Sequence, residues 1–296
     1  MPDFLSNMDA IAREAGALVL DFFRRRIGFE YKGDVDLVTE ADRQSETLIA
    51  RRIHEHWPLH DLMAEEGTRR ESGSPYRWYV DPLDGTTNFA HGFPVFCVSL
   101  GLACRDELLA GVIFDPTRDE LFSAEKGSGA TLNGRPIHVS SIPRLEESLL
   151  ATGFPSHKRH RNPNIHFYHQ LTLRSHGIRR AGSAALDLAS VASGRVEGFW
   201  EFNLNPWDTA AGVLLIREAG GLVTCFDGSP WRIDSRETLA SNGRIHAALV
   251  REFDAIFQGR DLEPLPSPAE YARARREREK ASGAPPSGAQ EVTKPL

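Results

Sequence analysis

The stretch Val80-Asp81-Pro82-Leu83-Asp84-Gly85-Thr86-Thr87-Asn88-Phe89 decides how this chain is read. Trp78 to Val80 predict a strand, Asp81 to Asp84 a sharp proline-initiated turn, and the paired threonines the start of a helix. Two carboxylates three residues apart across such a turn can point at one place, and hard oxygen ligands of that kind suit Mg2+. Gly85 lets the backbone come close, and the N–H groups of Gly85 and Thr86 would face an anion at the helix start. Taken alone, the same residues also read as an Asp-Pro-x-Asp-Gly turn that caps a helix. The rest of the chain has to choose between these readings.

Upstream, Leu5, Met8, Ile11, Ala12, Ala15, Leu18, Val19, Phe22 and Phe23 recur at steps of three and four, which predicts an amphipathic helix over 5–26 closed by Arg24 to Arg26. A second helix is predicted over 41–57, ended by Pro58. Downstream the period shortens. Segments 95–103, 108–114 and 120–124 predict strands of an antiparallel sheet, with Leu132-Asn133-Gly134-Arg135-Pro136 as a turn. The second half alternates strands at 149–152, 198–202 and 222–225 with helices at 164–176, 184–192 and 206–219. The expected class is therefore α/β (α+β), with helices and sheets in layers.

With 296 residues, 41% hydrophobic and 26% charged, the chain has the composition of a globular protein that can bury a large core. A net charge of −6 disfavours a polyanion, so nucleic acid is not expected as a partner. Cys97, Cys104 and Cys225 sit far apart among apolar neighbours, as reduced buried thiols do. No run of about 18 apolar residues is present, and Asp3, Asp9, Arg13 and Glu14 break any signal-peptide pattern. A cytoplasmic protein that does not span a membrane is the expectation. From Glu263 onward Pro, Ser, Gly, Arg and Glu dominate, predicting a mostly disordered tail with one helical stretch near 271–280. His54, His56 and His60 read as solvated helix-end residues because Pro58 interrupts their spacing, and His157 to Arg161 as a solvated basic loop.

Further acids tip the balance at Asp81 and Asp84. Glu65-Glu66-Gly67 precedes the strand that delivers Asp81, and Asp208 falls in the first turn of a helix opened by Pro206. Together with Lys32 and Asp36 to Asp42, the blocks DLVTEAD (36–42), EEG (65–67), DPLDGTTNF (81–89), GSAALD (182–187) and WDTAAG (207–212) resemble the inositol monophosphatase family from about residue 5 to about residue 257. The resemblance implies a layered α-β-α-β-α sandwich, with a catalytic domain over 1–258 made of intimate parts at about 1–145 and 146–258. It also implies a Mg2+ cluster of two to three ions and a homodimer. By the same resemblance Glu65, Asp81 and the Leu83 carbonyl hold a first ion, Asp81, Asp84 and Asp208 a second, and Glu65 supports a weaker third. Glu65, Thr86 and Asp42 would orient the attacking water. Asp84, Gly85, Thr86, Gly182, Ser183, Ala184, Glu201 and Asp208 would contact substrate.

The implied reaction is hydrolysis of myo-inositol 1-phosphate or a similar small polyol phosphate to alcohol and phosphate, with sensitivity to Li+. The alternatives within the superfamily are fructose-1,6-bisphosphatase, histidinol-phosphatase and 3′-phosphoadenosine-5′-phosphate phosphatase. A different class, a binding factor for the transcription machinery, stays open because some bacterial relatives have that role. Ala64 and Asn205 depart from residues common in the family, and Lys32 stands one residue nearer the DLVT block than its usual counterpart.

Overall fold

A computed structural model describes residues 4–25, 29–31, 37–154 and 162–282. The chain divides after Arg260 into two units. In the first, helices α1 (Phe4–Arg25) and α2 (Glu40–His56) form an outer layer, with β1 (Phe29–Tyr31) and β2 (Leu37–Thr39) paired antiparallel between them in sequence. Below them lies an eight-stranded sheet of β3 (Asp61–Ala64), β4 (Arg69–Arg70), β5 (Tyr76–Asp84), β6 (Cys97–Cys104), β7 (Glu107–Asp115), β8 (Glu120–Glu125), β9 (Ala130–Leu132) and β10 (Arg135–Ile137), in the order β10-β9-β8-β7-β6-β5-β3-β4. The short helix α3 (Thr86–Ala90) follows β5 directly. The second sheet joins β11 (Leu149–Thr152), β12 (Gly177–Arg179), β13 (Gly198–Phe202), β14 (Leu222–Thr224) and β15 (Glu237–Ser241), in the order β12-β11-β13-β15-β14. Helices α5 (Ala184–Ala192) and α6 (Pro206–Glu218) lie between the sheets, while α4 (Asn164–Arg174) and α7 (His246–Phe257) cover the far face of the second. The layering is α-β-α-β-α.

Each layer follows from its residues. α1 buries Phe4, Met8, Ile11, Ala12, Ala15 and Val19 against β5 to β8, a single apolar stripe. α6 instead buries every residue from Thr209 to Ile216, as a helix sandwiched between sheets must. Small residues let it sit close. A Cβ on Gly101 would lie 2.5 Å from Ala210 Cβ, and one on Gly111 would lie 2.8 Å from Ala211 Cα. The glycines of β6 and β7 therefore face the Ala210-Ala211 pair with no room to spare, and this contact fixes the helix whose first turn carries Asp208.

Several expectations are corrected. The first sheet is antiparallel except where β3 runs parallel to β5. β1, β2, β3, β4, β9, β10, β12, β15 and α7 add to the predicted elements, and the helix predicted over 164–176 stops at Arg174, where the chain turns into β12. The thiols are free, but Cys97 alone is fully buried; Cys104 and Cys225 are partly exposed. The turn at Asn133-Gly134 is present, with φ of +48° and +74°. In the second unit α8 (Pro268–Ser282) covers the predicted helical stretch and carries an internal Arg275–Glu279 pair at 2.9 Å.

Candidate active site

The predicted turn at Asp81 to Asp84 is a β-bulge. β5 stays paired with β6 through it: Asp81 faces Ser99 and Asp84 faces Cys97, so three steps on one strand match two on the other. In a regular strand residues three apart point to opposite faces; the extra residue re-aims the second carboxylate, so that Asp81 and Asp84 interact. The bulge is braced from α2, where Ser45 Oγ donates to the Pro82 carbonyl at 2.9 Å, and from within, where Leu83 N donates to Asp81 Oδ1 at 3.0 Å. Gly85 then takes φ +94°, and a Cβ there would lie 2.8 Å from the Val95 carbonyl oxygen, so only glycine fits.

Thr86 begins α3 with its Oγ1 at 3.1 Å from both Asp42 Oδ1 and the Leu83 carbonyl oxygen. Asp42 is fully buried at the start of α2 and completes a capping box with Thr39, accepting from Thr39 N at 2.7 Å. Burial raises its pKa, and hydrogen bonds from Thr39 and Thr86 pull the other way. One turn on, the buried Glu46 accepts from Glu66 N at 2.7 Å and Thr68 N at 2.8 Å, which pins the turn that presents Glu65. The Glu65 carboxyl meets that of Asp81. Ser45 and Glu46 escaped the sequence reading, although their place three and four residues after Asp42 put them on its helix face.

Asp208 is the third residue of α6, and its Oδ2 accepts from Asn205 N at 2.7 Å in a second capping box. Burial, with Asp84 and Glu201 nearby, pushes its pKa to about 8. Burial and then Glu65, Asp84 and Asp208 push Asp81 well above the carboxylate range, and burial also raises Asp84. The convergence of Glu65, Asp84 and Asp208 on the buried Asp81 concentrates negative charge, which suits the place to cations.

The second half of the chain closes the site. Asp84 Oδ2 accepts from Ser183 Oγ at 2.6 Å and from Ala185 N at 2.8 Å, so the start of α5 holds that carboxylate. Gly182, at φ +87°, is held by Asn88, whose Nδ2 reaches the carbonyls of Val95 and Ala181 at 2.8 Å and that of Gly182 at 3.3 Å. Glu201 is buried, and burial followed by Asp187 and Asp84 raises its pKa to about 8. Its carboxylate fills the space a side chain on Gly153 would need. Glu65, Asp81, Leu83, Asp84, Gly85, Thr86, Asp42, Gly182, Ser183, Glu201 and Asp208 are thus linked, and the Ala184 backbone also hydrogen-bonds Asp84, while Lys32, Asp36 and the basic group 157–161 lie outside the described residues.

The donor set tests which cation the residues fit. Carboxylates and a main-chain carbonyl are hard oxygen donors, and the one thiol present, Cys97, has its pKa raised well above normal by burial and by Asp84 and Asp81, so it offers no thiolate. The residues fit a hard divalent ion rather than a soft one. Among the described residues no three His, Cys, Asp or Glu side chains are already gathered at ligating spacing. His54 and His56 are exposed, and His60 accepts from Trp78 Nε1 at 3.1 Å while stacking on Tyr76.

Known proteins share this architecture. The profile of the inositol monophosphatase family matches residues 3–258. An inositol-1-monophosphatase from Synechocystis is 47% identical over 264 residues, covering 87% of this chain and 92% of that one. A protein named Nus factor SuhB from Pseudomonas aeruginosa is 43% identical over 247 residues, covering 81% and 91%. The solved inositol monophosphatase of Anabaena superposes with a TM-score of 0.78 at 44% identity, covering 88% of this chain and 97% of its own. No helix among the described residues is long and apolar enough to cross a membrane. A profile match over nearly the whole length, with relatives this similar in sequence and fold, places the chain in the inositol monophosphatase family, a family of metal-dependent phosphatases.

Proposed function

We propose that residues 1–258 form a Mg2+-dependent phosphomonoesterase that hydrolyses myo-inositol 1-phosphate or a similar small polyol phosphate. The observation that carries this reading is the bulge in β5, which sets Asp81 and Asp84 together with Glu65 and Asp208 beside the Thr86–Asp42 pair. Glu65, Asp81, the Leu83 carbonyl, Asp84 and Asp208 would hold two Mg2+ ions, with Glu65 supporting a third. When bound, such ions lower the pKa of water and neutralise charge on phosphate and the leaving oxygen. Thr86, its hydroxyl oriented by the buried Asp42, and Glu65, held by the Glu46 clamp, position the attacking water for in-line displacement. The Gly182-Ser183-Ala184 backbone and Gly85 approach the phosphate, and Glu201 accepts hydrogen bonds from polyol hydroxyls.

Phosphate release should be measured from myo-inositol 1-phosphate, fructose 1,6-bisphosphate, histidinol phosphate and 3′-phosphoadenosine 5′-phosphate. Preferential turnover of the inositol ester supports the reading, and preference for another member of the panel replaces it. A second reading, binding to the transcription machinery, is favoured by the P. aeruginosa relative's name, Nus factor SuhB; pull-down of RNA polymerase components with and without the tail after residue 258 tests it. A homodimer in sedimentation is also expected.

A further inference from the structure

Glu201 lies one residue beyond Trp200, and Gly153 one residue beyond Thr152, on adjacent parallel strands where Thr152 pairs with Trp200. An ideal Cβ on Gly153 would fall 2.1 Å from Glu201 Oε2 and 2.3 Å from Oε1, so the carboxylate occupies the hollow that this glycine leaves. Along a strand successive side chains point to opposite faces. Trp200 accordingly packs with Phe253 and Leu249 on the side of α4 and α7, while Glu201 faces the middle layer, where Asp187 and Asp84 act on it. What holds the two strands at this point sits behind the sheet.

That holder is Asn164, the first residue of α4, with no exposed surface. Its Nδ2 donates to the Gly153 carbonyl at 2.7 Å and to Thr152 Oγ1 at 3.0 Å, and its Oδ1 accepts from Trp200 Nε1 at 2.6 Å. Thr152 Oγ1 in turn donates to the Trp200 carbonyl at 2.7 Å. One amide thus ties together the residue before Glu201, the residue before Gly153, and Gly153 itself. All of its hydrogens and its oxygen are used, with the partners buried, so no other side chain of this size replaces it.

We propose that Asn164 is a positioning residue for polyol recognition: from the far face of the second sheet it fixes the Glu201 carboxylate against Gly153, and so sets affinity for the hydroxyl-bearing part of the substrate. The proposal rests on the assignment of Glu201 to the polyol. The test compares myo-inositol 1-phosphate with para-nitrophenyl phosphate, which carries no hydroxyl groups, in wild type, Asn164→Ala, Glu201→Ala and the double variant. Asn164→Ala should raise KM for the inositol ester about tenfold, the effect of one hydrogen bond, with kcat within about twofold. The ratio of kcat/KM between the two esters should fall by the same factor. In the Glu201→Ala background, Asn164→Ala should leave that ratio unchanged.

Thr152→Val, which keeps the packing volume and removes the hydroxyl, should shift the ratio in the same direction if Asn164→Ala does not fold. A parallel loss on both esters, or additive effects of the two substitutions on the ratio, overturns the positioning role. No change of the inositol-ester KM in Glu201→Ala overturns the assignment of Glu201 on which the proposal rests.

Discussion

The contact that seats α6 can be tested at two glycines that should behave differently. A methyl on Gly101 would meet Ala210 Cβ at 2.5 Å, with Ala211 N at 3.2 Å and the Ala210 carbonyl carbon at 3.4 Å beyond it. A methyl on Gly111 would meet backbone: Ala211 Cα at 2.8 Å, its oxygen at 3.0 Å and its carbonyl carbon at 3.3 Å. Overpacking of this kind costs about 1–3 kcal/mol. A glycine-to-alanine change returns about 0.4–1 kcal/mol by restricting the unfolded chain. Either substitution should therefore destabilise the fold by roughly 0.5–2 kcal/mol in urea unfolding.

The difference lies in rescue. Ala210→Gly alone should cost about 1 kcal/mol as a helix-interior glycine. It removes the atom that Gly101→Ala strikes, so the pair should cost about 1 kcal/mol or more less than the sum of the singles. Ala211→Gly cannot relieve Gly111→Ala, because the struck atoms are main chain. Additive costs in Gly101→Ala/Ala210→Gly, or rescue of Gly111→Ala by Ala211→Gly, would refute the packing argument.

Two further outcomes are expected. Glu46→Ala removes the acceptor of Glu66 N and Thr68 N and should raise the Mg2+ concentration needed for half-maximal rate, with a stability loss of about 1–3 kcal/mol; an unchanged Mg2+ requirement would show that the clamp does not set Glu65. His246, buried between Thr224 Oγ1 at 2.8 Å and Ser241 Oγ at 2.9 Å, has its pKa lowered by burial from 6.5 to about 4. Between those values the unfolded chain binds more protons, so the His246 contribution is whole above pH 6.5 and lost as pH falls towards 4. The loss is at most about 1.4 kcal/mol per pH unit. Urea midpoints at pH 7 and pH 5 should converge in His246→Gln relative to wild type, and an equal shift in both proteins would contradict the assignment.

The candidate site residues stood out in the sequence because they sit in short blocks tied to turns and helix starts. Asp81 to Asp84, Thr86 and Asp208 are local features whose residue types declare themselves. The bulge was not legible: a proline turn and a bulged continuous strand share one sequence, and only pairing with Ser99 and Cys97 tells them apart. Glu46 was missed because its carboxylate serves backbone N–H groups about twenty residues away, which no local pattern signals. β12 and β15 are short and owe their existence to neighbours, β15 lying between β13 and β14. α7 did carry a signal, since Leu249, Phe253 and Ile256 recur at helical steps. The resemblance singled out Glu201, but nothing in the local sequence signals that its carboxylate fills the space left by Gly153, about fifty residues away.

The most direct test of the account is phosphate release from myo-inositol 1-phosphate by wild type and Asp81→Asn, each with Mg2+, with EDTA, and after Mg2+ is restored. Wild-type turnover should be abolished by EDTA and restored by Mg2+, and the rate should be at least about a hundredfold lower in Asp81→Asn at saturating Mg2+, because under the proposed function that carboxylate would serve both ions. Turnover that survives EDTA, or a near-wild-type rate in Asp81→Asn, would contradict it.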